Sequence, residues 1–406
     1  MSAITSLTRS WLARSFRPFR FTGSDGTLPC YRDVANLGLY IHIPFCRSLC
    51  SFCPYCREIY QEKTARDYVA ALQKEIALVG RGNTSRKKVS TLYFGGGTPA
   101  LVANELNAII KTVETYFEIS EGIGLELHPS DVTPETLRRL KAAGVTRISI
   151  GVQSFDPGYL ALLGRDGHND EAMFAALREV PFETVSMDFI FALPGQTFES
   201  VRKDIDTAFG NGANQIALYP FIDFSHTSRE FAKMSEPDKK KLLAEITQYC
   251  RRRDFQRGSI WTFSLPGTPK YSSMTRDNFL GFGCSATTLL PDRFTINTFS
   301  IPAYLERLNS DRLPSALTLK FSLRQRMLYY LFWTAYTMEI DSEAFASFFG
   351  VGLERCYRLE LLLARACGLI CKTGTKYRMT PRGAYYYHYY EHFYTLSYID
   401  KMWNLM

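Results

Sequence analysis

Long hydrophobic runs are missing from this chain of 406 residues. Although 46% of them are hydrophobic, no window approaches the roughly 18–20 consecutive apolar residues that a helix needs to cross a bilayer. The reading is a globular chain with no membrane span. A secretory signal is missing too, because the N-terminus has no apolar core followed by a cleavage site. No acidic residue precedes Asp25, whereas Arg9, Arg14, Arg17 and Arg20 do. That composition resembles a transit peptide; the reading preferred here is an N-terminal arm folded over the functional site. Dense basic tracts are also lacking. The longest, Lys239–Lys241 and Arg251–Arg253, suit solvated helix faces, so the net charge of +8 argues for solubility or a carboxylate-rich ligand and against nucleic acid. Internal repeats are absent.

Disulfide patterning is the last absence. Of ten cysteines, four crowd into positions 46 to 56 and the others scatter, which is not how a disulfide framework is laid out. A reducing, cytoplasmic setting is expected. Tyrosine (24) and phenylalanine (29) are plentiful. Most such rings fill cores, and the remainder suit a pocket for a flat or unsaturated small molecule.

From Gly38 to about Phe221, short apolar runs alternate with helical periods, the pattern of βα units around a parallel sheet. Strands are expected at Gly38–Ile43, Val89–Phe94, Ile123–Leu127, Arg147–Ile150, Val185–Phe191 and Gln215–Tyr219. Tyr68, Leu72, Ile76 and Val79 mark one stripe of a helix over Thr64–Val79. Thr133, Pro134 and Gly144 read as the N-cap, first position and stop of another. The fold class is therefore α/β, a partial (β/α)6 barrel of the TIM type with an N-terminal arm. A smaller, mostly helical, winged-helix-like domain follows, from Ser322–Thr337, Ser342–Phe349, Leu353–Cys367 and a hairpin at Leu369–Met379. The expected division is 1–37 arm, 38–225 barrel core, 226–316 barrel extension and 317–406 C-terminal domain. Gly258–Thr288, rich in Gly, Ser, Thr and Pro, is expected to wind beside the pocket.

Cys46, Cys50 and Cys53 have C-x3-C-x2-C spacing on the loop after the first strand. Three thiolates on one short loop can hold three corners of a four-iron, four-sulfur cluster and leave the fourth iron open to a small chelating molecule. A structural zinc site would want a second, distant knuckle, and this chain offers none. Cys56 would close the open iron if it ligated, so it is expected to stay free or face the substrate. Gly95-Gly96-Gly97-Thr98-Pro99 follows a strand with no Lys-Ser/Thr behind it, which excludes a phosphate-binding P-loop. Bare backbone there suits a cradle for an amino group.

Glu126 is a carboxylate inside an apolar strand and needs a partner, such as a ligand ammonium or hydroxyl. Gln153 and Asp188 are likewise polar in apolar strands. Arg165 is read as a fork for a ligand carboxylate or as a surface helix arginine. All of these fall near strand C-termini, where parallel-sheet folds gather their chemistry.

Four segments carry a family likeness: Tyr40-Ile-His-Ile-Pro-Phe-Cys46, Tyr93–Pro99, Arg147–Phe155 and Met187–Thr197. Together they resemble radical S-adenosylmethionine (SAM) enzymes similar to oxygen-independent coproporphyrinogen III oxidase, a group that includes haem chaperones and two-SAM carbon-transfer enzymes. The likeness implies a 4Fe-4S cluster on Cys46, Cys50 and Cys53. It implies a SAM site lined by Tyr40, Phe52, Gly95, Gly96, Gly97, Thr98, Glu126, Gln153, Arg165 and Asp188. A second SAM is implied near the glycine turn Gly281–Thr288, with residues around Trp261 and Thr287 as candidates. A small-molecule substrate and an electron donor such as flavodoxin or ferredoxin follow from the same likeness.

Departures from the oxidase point to a changed substrate. The fourth thiol lies one place further on, Ala192 stands where a glycine is expected, and Lys270–Asn278 has no close counterpart there. The leading expectation is methylation or cyclopropanation of an unsaturated or aromatic small molecule. The alternatives are oxidative decarboxylation of coproporphyrinogen, or haem trafficking on the same fold.

Overall fold

The computed structural model describes residues 11–12, 20–82, 85–221, 234–269 and 277–387. Most of the expected N-terminal arm, and residues 270–276 of the segment without an oxidase counterpart, fall outside the described residues. Two compact units are present: one comprises Arg20–Phe255 with Ser264–Lys320, the other Gln256–Phe263, Phe321 onward and the first residues of the chain. No helix among the described residues is long and apolar enough to cross a membrane.

The larger unit is built on six parallel strands, each followed by helix. They are β1 (Leu37–Ile43), β2 (Leu92–Gly96), β3 (Ile123–Leu127), β4 (Val145–Gln153), β5 (Thr184–Phe191) and β6 (Gln215–Pro220), adjacent in that order. The helices are α1 (Glu62–Gly80), α2 (Leu106–Tyr116), α3 (Pro134–Ala142), α4 (Pro157–Leu162), α5 (Asp170–Glu179), α6 (Phe198–Gly210) and α7 (Glu236–Arg252). Thr133 caps α3 by accepting the Thr136 N–H, and Gly144 ends its turn at φ +92°, where a side chain would be strained.

Register sorts the side chains. Ile41, Phe94, Leu125 and Ile148 are partners across four strands, and all are fully buried. Strand residues alternate between faces. Tyr40, His42, Tyr93, Gly95, Glu126, Ser149, Gly151, Ser186 and Asp188 therefore share the opposite face. An apolar side packed on helices and a polar side lining the barrel follow directly from that alternation.

Two expectations are corrected. The strand expected at Val89–Phe94 is broken at Ser90, whose N–H donates to Leu37 O. Val89 belongs to a separate short pairing with Phe117–Ile119, and the glycines fall partly inside β2. The expected winding of Gly258–Thr288 contains regular structure. β7 (Asn278–Phe282) pairs in parallel with β1 on the side away from β2. It continues antiparallel into β8 (Thr287–Leu289), β9 (Arg293–Asn297) and β10 (Ser315–Lys320), with α8 (Ile301–Asn309) between the last two. Leu280 and Phe282 are buried, so apolar packing overrides the loop-like composition.

The smaller unit has α9 (Leu323–Tyr336), β11 (Glu339–Asp341), α10 (Ser342–Phe349), α11 (Leu353–Ala366), β12 (Ile370–Thr373) and β13 (Lys376–Met379). Its strands form an antiparallel sheet with β13 in the middle. Met327, Tyr330, Phe345, Leu353, Tyr357 and Tyr377 make its core. Helices and hairpin follow the winged-helix order read from the sequence.

Candidate functional site

The cysteine loop leaves β1 at Ile43 and is pinched at its neck. Phe45–Cys46 pairs in parallel with Glu58–Ile59, and the Tyr60 N–H donates to Cys46 O at 2.8 Å. Inside the loop the Arg57 guanidinium donates to Cys50 O at 2.7 Å and also to Cys53 O. One cation thus gathers two cysteine carbonyls. Cys46, Cys50 and Cys53 are free and half-buried.

Burial pushes the Cys46 thiol up to about 11; neighbouring Cys53 adds to the rise and a hydrogen bond with Thr98 opposes it. Burial likewise raises Cys53, with Arg57 opposing. Thiols in this state give up their protons to a metal rather than to water. Among the described residues no three His, Cys, Asp or Glu side chains converge as one ion would require.

The glycine turn after β2 meets protein on three sides, which modifies its expected role as a bare ligand cradle. A Cβ on Gly97 would lie 2.5 Å from Phe45 O and 2.9 Å from Cys46 Sγ. On Gly96, whose φ is +120°, it would strike the His42 ring at 2.6 Å. On Gly95 it would wedge between Tyr40 and Glu126, about 3 Å from each. The Gly97 N–H donates to Ile43 O at 2.8 Å and the Thr98 N–H to Phe45 O at 2.7 Å. These glycines dock the end of β2 against the cysteine loop.

Five of the six barrel strands have a single position that escapes full burial; in β2 and β6 it is Gly96 and Tyr219, and in β1, β3 and β5 it is a polar residue on the inner face, Tyr40, Glu126 and Asp188. The expectation that Glu126 depends on a ligand for a partner is corrected. It accepts the Tyr93 hydroxyl at 2.9 Å and the Gly96 N–H at 3.1 Å. Burial still pushes it up to about 7, with the Asp188 charge adding and the Tyr93 hydrogen bond opposing. Asp188 accepts from Ser149 at 2.8 Å and Ser186 at 3.3 Å and is pushed by burial to about 6. Two carboxylates held near neutrality on one wall are suited to an approaching cation.

Gln153 ends β4 at φ +71°. The kink is held from behind: Asp204 on α6 accepts the Ser154 hydroxyl at 2.8 Å and the Phe155 N–H at 2.9 Å. A Cβ on Gly151 would lie 2.9 Å from Gln153 Nε2. Arg165 donates from Nη1 to Gly151 O, and its buried Nε has no hydrogen-bond partner among the described residues. Gln153 and Arg165 thus meet at Gly151. Phe52 packs against Leu163, Ile190, Leu193 and Phe221, which anchors the tip of the cysteine loop.

Sequence reasoning passed over His42 and Tyr93. The His42 Nε2 lies 3.0 Å from Cys56 O and its Nδ1 lies 3.0 Å from the Tyr40 hydroxyl. A carbonyl only accepts, so Nε2 carries the proton and Tyr40 donates to Nδ1. Burial lowers His42 to about 4, which keeps this neutral tautomer. The signal available was inner-face periodicity, since residues 40 and 42 share one side of β1. Cys56, expected to be free or to face the substrate, is free and is buried against Cys284 and Phe299 O. The glycines of the second turn also pack on protein. A Cβ on Gly281 would lie 2.1 Å from Thr287 O, and one on Gly283 2.6 Å from both His42 O and the Tyr68 hydroxyl. Trp261 belongs to the smaller unit, where it is buried.

Residues 40–208 match the Radical SAM superfamily model. The chain is 26% identical over 363 residues to the heme chaperone HemW of Bacillus subtilis, covering 85% of this chain and 95% of that protein. It is 26% identical over 403 residues to the oxygen-independent coproporphyrinogen III oxidase of Paracoccus denitrificans, covering 89% and 88%. Among solved structures, coproporphyrinogen III oxidase HemN from Escherichia coli, described as a radical SAM enzyme, superposes with a TM-score of 0.75 at 21% identity over 86% of this chain and 88% of that one. That likeness shows the shared fold.

Proposed function

We propose that residues 40–208, which match the Radical SAM superfamily model, use a 4Fe-4S cluster and S-adenosylmethionine, that Cys46, Cys50 and Cys53 hold the cluster and that the polar face of β1 to β5 holds SAM. The observation that carries the reading is the single accessible polar position in each of β1, β3 and β5, beside a loop of three free thiols. The donor set fits the group. Three free thiols on one loop match three corners of a cubane and would leave an iron for the methionyl group.

When bound, the pair of cofactors supplies a 5′-deoxyadenosyl radical by one-electron cleavage of the sulfonium. The chain's own residues do the rest. Glu126 would hold the methionyl ammonium, Asp188 and Gln153 the ribose hydroxyls, and Arg165, whose buried Nε has no hydrogen-bond partner among the described residues, the methionyl carboxylate. Phe52 and Tyr40 exclude water. The electron comes from a flavodoxin- or ferredoxin-like donor in a reducing compartment.

For the substrate, we read a porphyrinogen: hydrogen-atom abstraction from a propionate side chain, then release of carbon dioxide and of one electron to a one-electron acceptor, leaving a vinyl group. The named relatives favour this alternative over carbon transfer, and the net charge of +8 suits a ligand carrying several carboxylates. Haem trafficking is the second reading, supported by the match across 95% of HemW.

Anaerobically reconstituted protein with SAM, dithionite and coproporphyrinogen III separates them. Deoxyadenosine with decarboxylated porphyrinogen supports the enzyme. Stoichiometric haem binding without deoxyadenosine supports the chaperone. SAM-derived carbon in a product would overturn both in favour of methyl or methylene transfer.

A further inference from the structure

Cys56 and Cys284 come from opposite ends of the larger unit's sequence and meet with their sulfurs 3.9 Å apart. Cys56 lies just beyond the cysteine loop; Cys284 lies in the second glycine turn, Gly281-Phe-Gly-Cys284. Both are buried, Cys56 at 8% exposure and Cys284 at 0%. Each thiol also has an acceptor. Cys56 Sγ donates to Phe299 O at 3.1 Å and Cys284 Sγ to Thr298 O at 3.0 Å, so both sulfurs are directed at consecutive carbonyls of one segment.

The frame around the pair is rigid on both sides. Cys56 O accepts from His42, and the Cys284 N–H donates to the Tyr68 hydroxyl at 2.8 Å. Glu75, buried on α1, accepts the Gly283 N–H at 2.7 Å, Asn297 Nδ2 at 2.8 Å and the Tyr304 hydroxyl at 2.6 Å. The sulfurs stand 3.9 Å apart and must close to about 2.05 Å to form a bond.

We propose that Cys56 and Cys284 form a redox-active dithiol, a modification site for hydroperoxides that closes to a disulfide and ties the end of the cysteine loop to the second glycine turn. Cys56, the thiol with slight exposure, is the attacking sulfur. Attack on hydrogen peroxide breaks the O–O bond, gives a sulfenic acid at Cys56 and releases one water. Cys284 then attacks that sulfur, loses its proton and expels the hydroxyl as a second water. The two thiols lose two electrons and two hydrogens in all, and one peroxide becomes two waters. The site is independent of the substrate reading and rests on Cys56 lying outside the proposed iron ligands.

The test titrates the reconstituted full-length chain with limiting hydrogen peroxide, followed by alkylation, digestion and mass spectrometry. The expected product is a Cys56–Cys284 linked peptide, lighter by two hydrogens than the two free peptides and released by a thiol reductant. In Cys284→Ala the link is lost and Cys56 is instead trapped as a sulfenic acid by a 1,3-dione probe. Recovery of both residues alkylated after the peroxide is consumed would overturn the proposal. So would linkage of Cys56 to Cys53 in the unmutated chain, which needs no variant to fold.

Discussion

Gly97 lies so close to Cys46 that a Cβ there would stand 2.9 Å from the cysteine sulfur, and 2.5 Å from the carbonyl of Phe45. The two motifs that announce the site in the sequence are therefore one packed unit, with the glycine turn forming the wall on which the cysteine loop rests. Gly97→Ala forces backbone apart, since neither Phe45 O nor the neck of the loop can rotate away. Overpacking of this kind costs about 1–3 kcal/mol. The expected outcome is a lowered melting temperature together with reduced iron and sulfide per chain. Full iron loading in Gly97→Ala would show that the wall can give.

The three cysteines of the loop should not behave like the fourth. Cys46→Ala, Cys50→Ala or Cys53→Ala each removes a proposed ligand, and each should abolish the cluster's electronic signal and deoxyadenosine formation. Cys56 faces Cys284 and Phe299 O instead, so Cys56→Ala should retain a SAM-cleaving cluster. Loss of the iron signal in that variant would refute the assignment.

Ala192 directly follows β5, at φ +65°, and is 1% exposed. A left-handed conformation costs a non-glycine residue about 1–2 kcal/mol, and this is the position where the related oxidase's motif has glycine. Ala192→Gly should therefore raise stability by up to about 1 kcal/mol, the relief of strain being partly offset by the greater freedom of glycine in the unfolded chain. Denaturant titration of the two proteins checks the sign.

Asp188 carries a pH signature. Burial raises its carboxyl from 3.8 to about 6, so the folded chain holds that proton where the unfolded chain has released it. The stabilisation is complete below about pH 4 and is lost as pH rises through about 6, which corresponds to at most about 3 kcal/mol. Asp188→Asn removes this loss. The stability difference between variant and ligand-free wild type should move in the variant's favour from pH 4 to 7. A difference that stays flat across that range would contradict the burial argument.

Much of this was legible in the sequence because backbone patterns write themselves locally. The six barrel strands, the Thr133 cap and the winged-helix order all rest on periodicity and capping, and those signals survive in a single chain. Glu126 and Asp188 stood out because a carboxylate in an apolar strand is costly wherever the chain folds. What could not be read were pairings made across the sheet. Tyr93 reaches Glu126 from the neighbouring strand, Asp204 fixes the Gln153 kink from a distant helix, and Cys284 meets Cys56 across more than 200 positions. Composition misled at Gly258–Thr288, where burial of Leu280 and Phe282 builds a strand from residues that look like loop.

Arg57 supports the cluster loop through its shape as well as its charge. Its guanidinium reaches Cys50 O at 2.7 Å, Tyr55 O at 3.3 Å and Cys53 O as well, spanning acceptors that converge only because the loop is closed. A lysine supplies the same charge at a single point and cannot bridge carbonyls in a fork. Each bond is worth about 1 kcal/mol net, so loss of the bridge should loosen the loop by roughly tenfold or more in an opening equilibrium. Both Arg57→Ala and Arg57→Lys should therefore release iron to a chelator about tenfold faster than wild type, while ligand count and initial iron content are unchanged. If Arg57→Lys released iron as slowly as wild type, charge alone would be sufficient and the fork would be incidental.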